Sequence, residues 1–155
     1  MNFDLESISP DMLKIAGAFY LIKVLVRIFY ANTIRGTLQR VASENRLMTP
    51  NQAWLVVVPF FNLYWNFQVA TRLSDSLTNE FYDRKIAEEE NPGRRAGMFF
   101  AWTCLLAAVP FPPFIIITLS LLSFVYFISY WVKINNLRNL LVEHDRFRQE
   151  SQNES

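Results

Sequence analysis

Hydrophobic residues in this chain fall in blocks rather than stripes. Apolar positions crowd into residues 15–34, 53–69 and 97–132, and charges fill the segments between. A surface helix of a soluble domain mixes the two classes at every turn. From Met98 to Val132 no Asp, Glu, Lys or Arg occurs, a run well beyond the roughly 20 residues that a membrane span needs. The pattern predicts an integral membrane protein.

Local signals divide the blocks. Ser9-Pro10-Asp11 begins a first helix with a capping hydroxyl, a first-turn proline and an acid at the positive helix end, and the apolar block places a span at 12–33. A connection with Gly36 follows. Thr49-Pro50 opens a second span, 51–72, in which Pro59 is expected to make a kink by removing one backbone bond and crowding the preceding turn. Leu73, Leu77 and Phe81 then recur every four residues among Asp75, Glu80 and Asp83, the period of an amphipathic helix leaving the membrane. Asn91-Pro92-Gly93 stops it. As one helix, residues 97–132 would run about 54 Å, too long for a hydrocarbon core of about 30 Å. Pro110-Phe111-Pro112-Pro113 splits the run into spans at 96–110 and 114–133, a tight hairpin. Ile134, Leu137, Leu141 and Phe147 give the last helix a second amphipathic extension, and 150–155 is a polar tail.

The expected fold is thus all-α: one membrane domain, 1–149, with about four transmembrane helices in two hairpins and cytoplasmic amphipathic extensions. Lys and Arg near the span ends set the orientation. With both termini cytoplasmic, the inner side holds Lys14, Arg72, Arg84, Lys85, Arg94, Arg95, Lys133, Arg138, Arg146 and Arg148, and the outer side Arg35, Arg40 and Arg46. Trp54, Tyr64, Trp65, Trp102, Tyr130 and Trp131 are expected as aromatic anchors at the two interfaces. The segments YWNFQVATR and YWVKINNLR share Tyr, Trp and Arg at matching places; duplicated hairpins would explain this, and so would the ordinary preferences of basic-side helix ends.

Composition adds mainly exclusions. A formal net charge of +1, with no basic cluster free of acids, argues against a nucleic-acid surface. Cys104 is the only cysteine and His144 the only histidine, so neither a disulfide nor a cysteine- or histidine-rich metal site is expected. Cys104 reads as a small buried hydrophobe. Ser120, Ser123 and Ser129 have no histidine partner in the apolar blocks, and such hydroxyls tend to bond to their own helix backbone. No phosphate-binding glycine loop occurs. No catalytic residue, cofactor or metal is expected, and the protein reads as a non-enzyme.

Four residues stand out as a candidate binding site. Lys23 and Arg27 lie one helical turn apart in the middle of the first span, with no acid in any span to pair them. Charges there cost about 2.5–3.5 kcal/mol each on insertion scales and point to function by default. They either snorkel to an interface, line a wet cavity that holds an anion or a lipid head group, or belong to a helix lying in the interface. Asn62 and Asn66, also one turn apart and beside Pro59, serve either as interhelical glue or as a cavity wall.

The segment TPNQAWLVVVPFFNLYWNFQVATR, Thr49–Arg72, resembles a motif on the second helix of a bacterial family of multi-span membrane proteins known as a domain of unknown function. The shared features are Thr-Pro, Trp54, Pro59-Phe60-x-Asn62-Leu63 and a following aromatic. The resemblance implies about four spans and a bacterial inner-membrane location, and supplies no activity or site. Two functions are therefore expected in competition. One is an accessory, assembly or scaffold subunit, docking a protein partner or a second copy through its amphipathic extensions. The other is a small transporter or channel with an anion- or lipid-binding cavity at Lys23 and Arg27. The lipid bilayer is a partner in both.

Overall fold

The computed structural model describes residues 9–153, and within them the regular structure is entirely helical. Helix α1, Pro10–Arg40, starts as the sequence signals require: the Ser9 hydroxyl accepts the Met12 N–H at 3.3 Å. It does not stop near residue 33. With no breaker before Val41, its 31 residues make a rod of about 46 Å. Gly36 sits inside the rod because the Arg138 guanidinium lies across it; a Cβ there would stand 3.3 Å from Arg138 Cζ.

The expected second span is replaced by a reversal. Residues Pro50–Val56 form only a 3-10 helix, Phe60 takes a left-handed φ of 61°, and α2 begins afterwards, Phe61–Asp83. Pro59 supplies no N–H and sterically ends the turn before it, so the chain breaks where a kink was expected. Three contacts show the direction of what precedes. The Ala42 N–H donates to Glu80 (2.8 Å), the Leu47 N–H to Ser76 Oγ (2.8 Å), and Trp65 Nε1–H to the Gln52 carbonyl (2.9 Å). The partners recede in step, so 42–58 runs antiparallel to α2 and turns back at Phe60. Helix α3, Arg94–Ala107, follows left-handed Gly93; after the Pro110–Pro113 turn, α4 runs unbroken over Pro113–Asn153.

This reversal corrects the expected placement of Arg35, Arg40 and Arg46 opposite the other basic residues. Arg40 pairs with Asp145 of α4 at 3.5 Å, and Arg84 bonds both Asp145 and the Arg40 carbonyl. All these groups share one end of the bundle, here the basic end. Since α1 also finishes there, its start and the end of α4 lie at opposite ends, not together. The matching YW…R segments have different surroundings: Tyr64 is exposed, whereas Tyr130 is buried.

The basic end is packed like the core of a soluble bundle. The two amphipathic extensions share one buried cluster with α1: Ile34, Leu38, Leu73, Leu77, Phe81, Ile134, Leu137 and Leu141 are all buried. Glu80 lies within this packing. Its carboxylate accepts from Ala42 N–H, from Asn45 Nδ2 at 2.9 Å and from Arg84 Nε at 2.6 Å. Burial opposes its charge, yet these bonds and the Arg84 cation together hold its pKa below the usual carboxylate range. Glu88 and Glu89 clamp Lys133 at 3.3 and 3.1 Å.

The opposite, apolar end is open. Phe19, Leu21, Leu25 and Phe29 of α1, Phe99 and Trp102 of α3, and Phe114, Leu121, Phe124 and Val132 of α4 are exposed. One described helix, α4, is long and apolar enough to cross a membrane, and only 11% of its most apolar window is buried in the protein. Helices α3 and α4 cross closely at Gly97, where a Cβ would lie 2.7 Å from Tyr130 Cζ and 2.8 Å from the Ala70 Cβ.

Two predictions follow from this packing. Gly97→Ala should cost about 1–3 kcal/mol, read as a lower melting temperature in detergent. Glu80 stability is present above the ordinary carboxylate pKa of about 4.3 and lost as pH falls through the lower folded value. Melting temperature should therefore drop below about pH 4, and less so in Glu80→Gln; equal acid profiles would remove Glu80 from this role.

Candidate functional site

The break at Phe60 leaves the first turn of α2 at the level where α1, α3 and α4 begin to separate. A cavity of about 460 Å³ lies there. Lys23 and Arg27 reach it from α1, Asn62 and Asn66 from α2, Phe100 and Cys104 from α3, and Ser120, Ser123 and Phe127 from α4. The fold thus brings together all four residues singled out as a candidate binding site. Their spacing of four residues on α1 and on α2 puts each pair on one helix face.

The electrostatics of the cavity are one-sided. No acidic residue lines it, and none occurs between Asp11 and Glu44, between Glu44 and Asp75, or between Glu90 and Glu143. Among the described residues neither Lys23 nor Arg27 has a hydrogen-bond or ion-pair partner, in contrast to Arg40, Arg84, Arg94 and Lys133 of the basic end. Asn62 and Asn66 are 3% and 4% exposed, and their amides find no protein partner among the described residues. No hydrogen bond joins either of them to another helix among the described residues. The Tyr30 hydroxyl is buried and unpartnered at the same cavity. A buried donor left without an acceptor costs about 1–3 kcal/mol, and the Tyr30 hydroxyl is such a donor at the cavity wall.

Tyr30 also forms the ceiling towards the basic end. Its ring meets Phe100, Phe127, Tyr130 and Trp131 edge-on, at centroid distances of 6.3, 5.1, 6.3 and 6.2 Å. Trp131 Nε1–H donates to Thr33 Oγ1 at 2.9 Å, locking α1 to α4 above the cavity.

The other residues singled out from sequence are scattered. Trp54, Tyr64 and Trp102 are exposed, Tyr64 accepting from Gln68 at 2.8 Å and Trp102 packing edge-on against Phe67. Trp65 and Tyr130 are inside the protein, and Trp131 is half-buried. Ser129 does bond its own helix, at 2.9 Å to the Val125 carbonyl, whereas Ser120 and Ser123 face the cavity. Cys104, read as a buried hydrophobe, lines the cavity wall. Which face of α3 and α4 turns inward could not be read from two helices apolar all round. Among the described residues no three metal-ligating side chains come together.

No family model, curated protein or solved structure matches the chain. Function has to be read from the cavity itself.

If Lys23 and Arg27 are uncompensated charges, removing one relieves a cost. Lys23→Leu or Arg27→Leu should raise the melting temperature in detergent, by about 2–4 °C for each kcal/mol regained. A fall instead would mean that the cations make stabilising contacts within the fold.

Proposed function

We propose that this is a bacterial inner-membrane protein that binds an anion in the Lys23–Arg27 cavity. Helices α1, α3 and α4 cross the bilayer, and the hairpin of 50–60 with the start of α2 dips into it without crossing. The exposed apolar end and the length and apolarity of α4 support the membrane reading. Charge supports the orientation. Every Lys and Arg from Arg35 onward belongs to the basic half, and Lys14 alone stands at the other end, with Lys23 and Arg27 between. By the positive-inside rule the basic end is cytoplasmic, which puts the α4 C-terminus inside and the start of α1 outside.

The observation that carries the anion site is the pair of cations without an acid in a cavity that also holds unpartnered amides. An anion about 4 Å from one cation gains about 4 kcal/mol at an effective dielectric near 20. That is comparable to the cost of placing the cation in the membrane. The closed aromatic ceiling at Tyr30 favours a binding or carrier role over an open channel. The docking role loses its motive, because the amphipathic stripes that suggested it are buried within the fold's own core cluster. Nothing among the cavity side chains forms a nucleophile and base pair, so a non-enzymatic role is proposed.

Thermal shift of the detergent-purified protein tests the site. At least one probe from inorganic phosphate, glycerol phosphate and phosphatidylglycerol should stabilise the native chain, by about 2.7 kcal/mol at a hundredfold excess over Kd. The Lys23→Gln/Arg27→Gln double variant should show no such shift. If every probe moves both proteins equally, the cavity is not an anion site.

A further inference from the structure

We propose that the anion is the phosphate head group of a membrane lipid, admitted sideways from the bilayer between α1 and α4, with its acyl chains left outside on the apolar faces of these two helices. This rests on the anion-binding reading and adds the ligand class and its route.

The route follows from what is closed and what is open. Towards the basic end the way is shut by Tyr30, Phe127 and Trp131, and above them Ile34 and Leu38 are fully buried. Lys23 lies ten residues before Thr33, about 15 Å along α1 from the Thr33–Trp131 bond. A water-soluble anion from the basic side would have to pass through packed core to reach it. Below the cavity the packing ends. No residue of α1 from Pro10 to Lys23 is even half-buried, and the facing stretch of α4 leaves Leu121 and Phe124 exposed at 63% and 62%. The opening is therefore walled by hydrocarbon, and a free anion would cross it against a steep solvation cost. A lipid crosses it with its chains still in the apolar phase.

The chemistry of the donors selects phosphate. Arg27 offers the planar fork that grips two oxygens, Lys23 a compact second charge one turn away, and Asn62 and Asn66 neutral N–H donors from a separate element. The Tyr30 hydroxyl, buried and unpartnered, adds another donor. A single carboxylate would leave most of these unsatisfied, whereas a phosphodiester with its glycerol oxygens meets more of them. A cavity of about 460 Å³ sits within the range that small ligands occupy, about 300–1,000 Å³. It suits a head group, with the chains outside.

The single cysteine, on the cavity wall, reports occupancy in the unaltered chain. Native mass spectrometry of the full-length protein from mild detergent should show a one-to-one phosphatidylglycerol adduct, at least tenfold weaker in Lys23→Gln/Arg27→Gln. A membrane-permeant maleimide should alkylate Cys104 in delipidated protein. Phosphatidylglycerol added back should slow that reaction at least fivefold, while glycerol phosphate and inorganic phosphate should leave it unchanged. Circular dichroism of the double variant checks that it is folded. If glycerol phosphate or phosphate protects Cys104 as well as the lipid does, the lateral lipid route is overturned while the anion site stands. If the lipid adduct forms equally in the double variant, or Cys104 is never protected, the lipid assignment falls. If no anionic probe distinguishes the two proteins, the anion site falls with it.

Discussion

A carboxylate buried at the seam of several elements fixes their relative positions more tightly than apolar contact can, because every hydrogen bond it accepts has a direction. Glu80 plays that part here. It ties the end of α1 through the Ala42 N–H, a short 3-10 turn at Ser43–Asn45 through Asn45 and its own helix through Arg84, which in turn holds Asp145 of α4. Breaking such a buried arrangement by removing one partner typically costs about 3–5 kcal/mol. Once residue 42 is pinned beside residue 80, the chain from Ala42 to Phe60 has only one way to go. It must descend along α2 and turn back, and the turn falls at Pro59-Phe60, where proline has already ended the local helix. The level at which Asn62 and Asn66 enter the cavity is a consequence of that anchoring.

This constraint was present in the sequence but was masked by an assumption about helix faces. Leu73, Leu77 and Phe81 define an inward stripe, and Glu80 was grouped with the outward polar residues. Residue 80 is two turns after 73, so it lies on the same stripe. A carboxylate placed there must be buried with partners or left at a high cost, and Arg84 one turn later is the obvious first partner. Similarly, Pro59 reads as a kink because residues 51–72 form one apolar block. Hydropathy records how apolar a segment is but not its direction, so it could not separate a crossing helix from a hairpin of similar composition. The three arginines at 35, 40 and 46 are the counter-signal: on the outer side they run against the positive-inside rule, and the fold-back returns them to the basic end.

The candidate site was more legible than the topology. Charges and amides inside apolar blocks are costly wherever the helices run, so Lys23, Arg27, Asn62 and Asn66 marked themselves without any knowledge of packing. Tyr30, Cys104 and Ser123 did not. Their types are common in apolar helices, and only the pairing of α1 with α3 and α4 tells which face they turn to the cavity.

The contrast between the two ends of α1 bears on how a site can be both held and reached. From Tyr30 to Leu38 the helix is locked by packing, by the Thr33–Trp131 bond and by the charged groups beyond Arg40. Before Val24 it touches little. Interiors packed to native density transmit displacement and resist it, whereas a helix segment with few buried contacts opens at small cost. Lys23 and Arg27 sit at the junction, one on the loose segment and one at the start of the held one. In the proposed site Arg27 stays close to the held stretch while Lys23 and the opening beside it can move, and nothing in the Glu80 network has to break for that to happen.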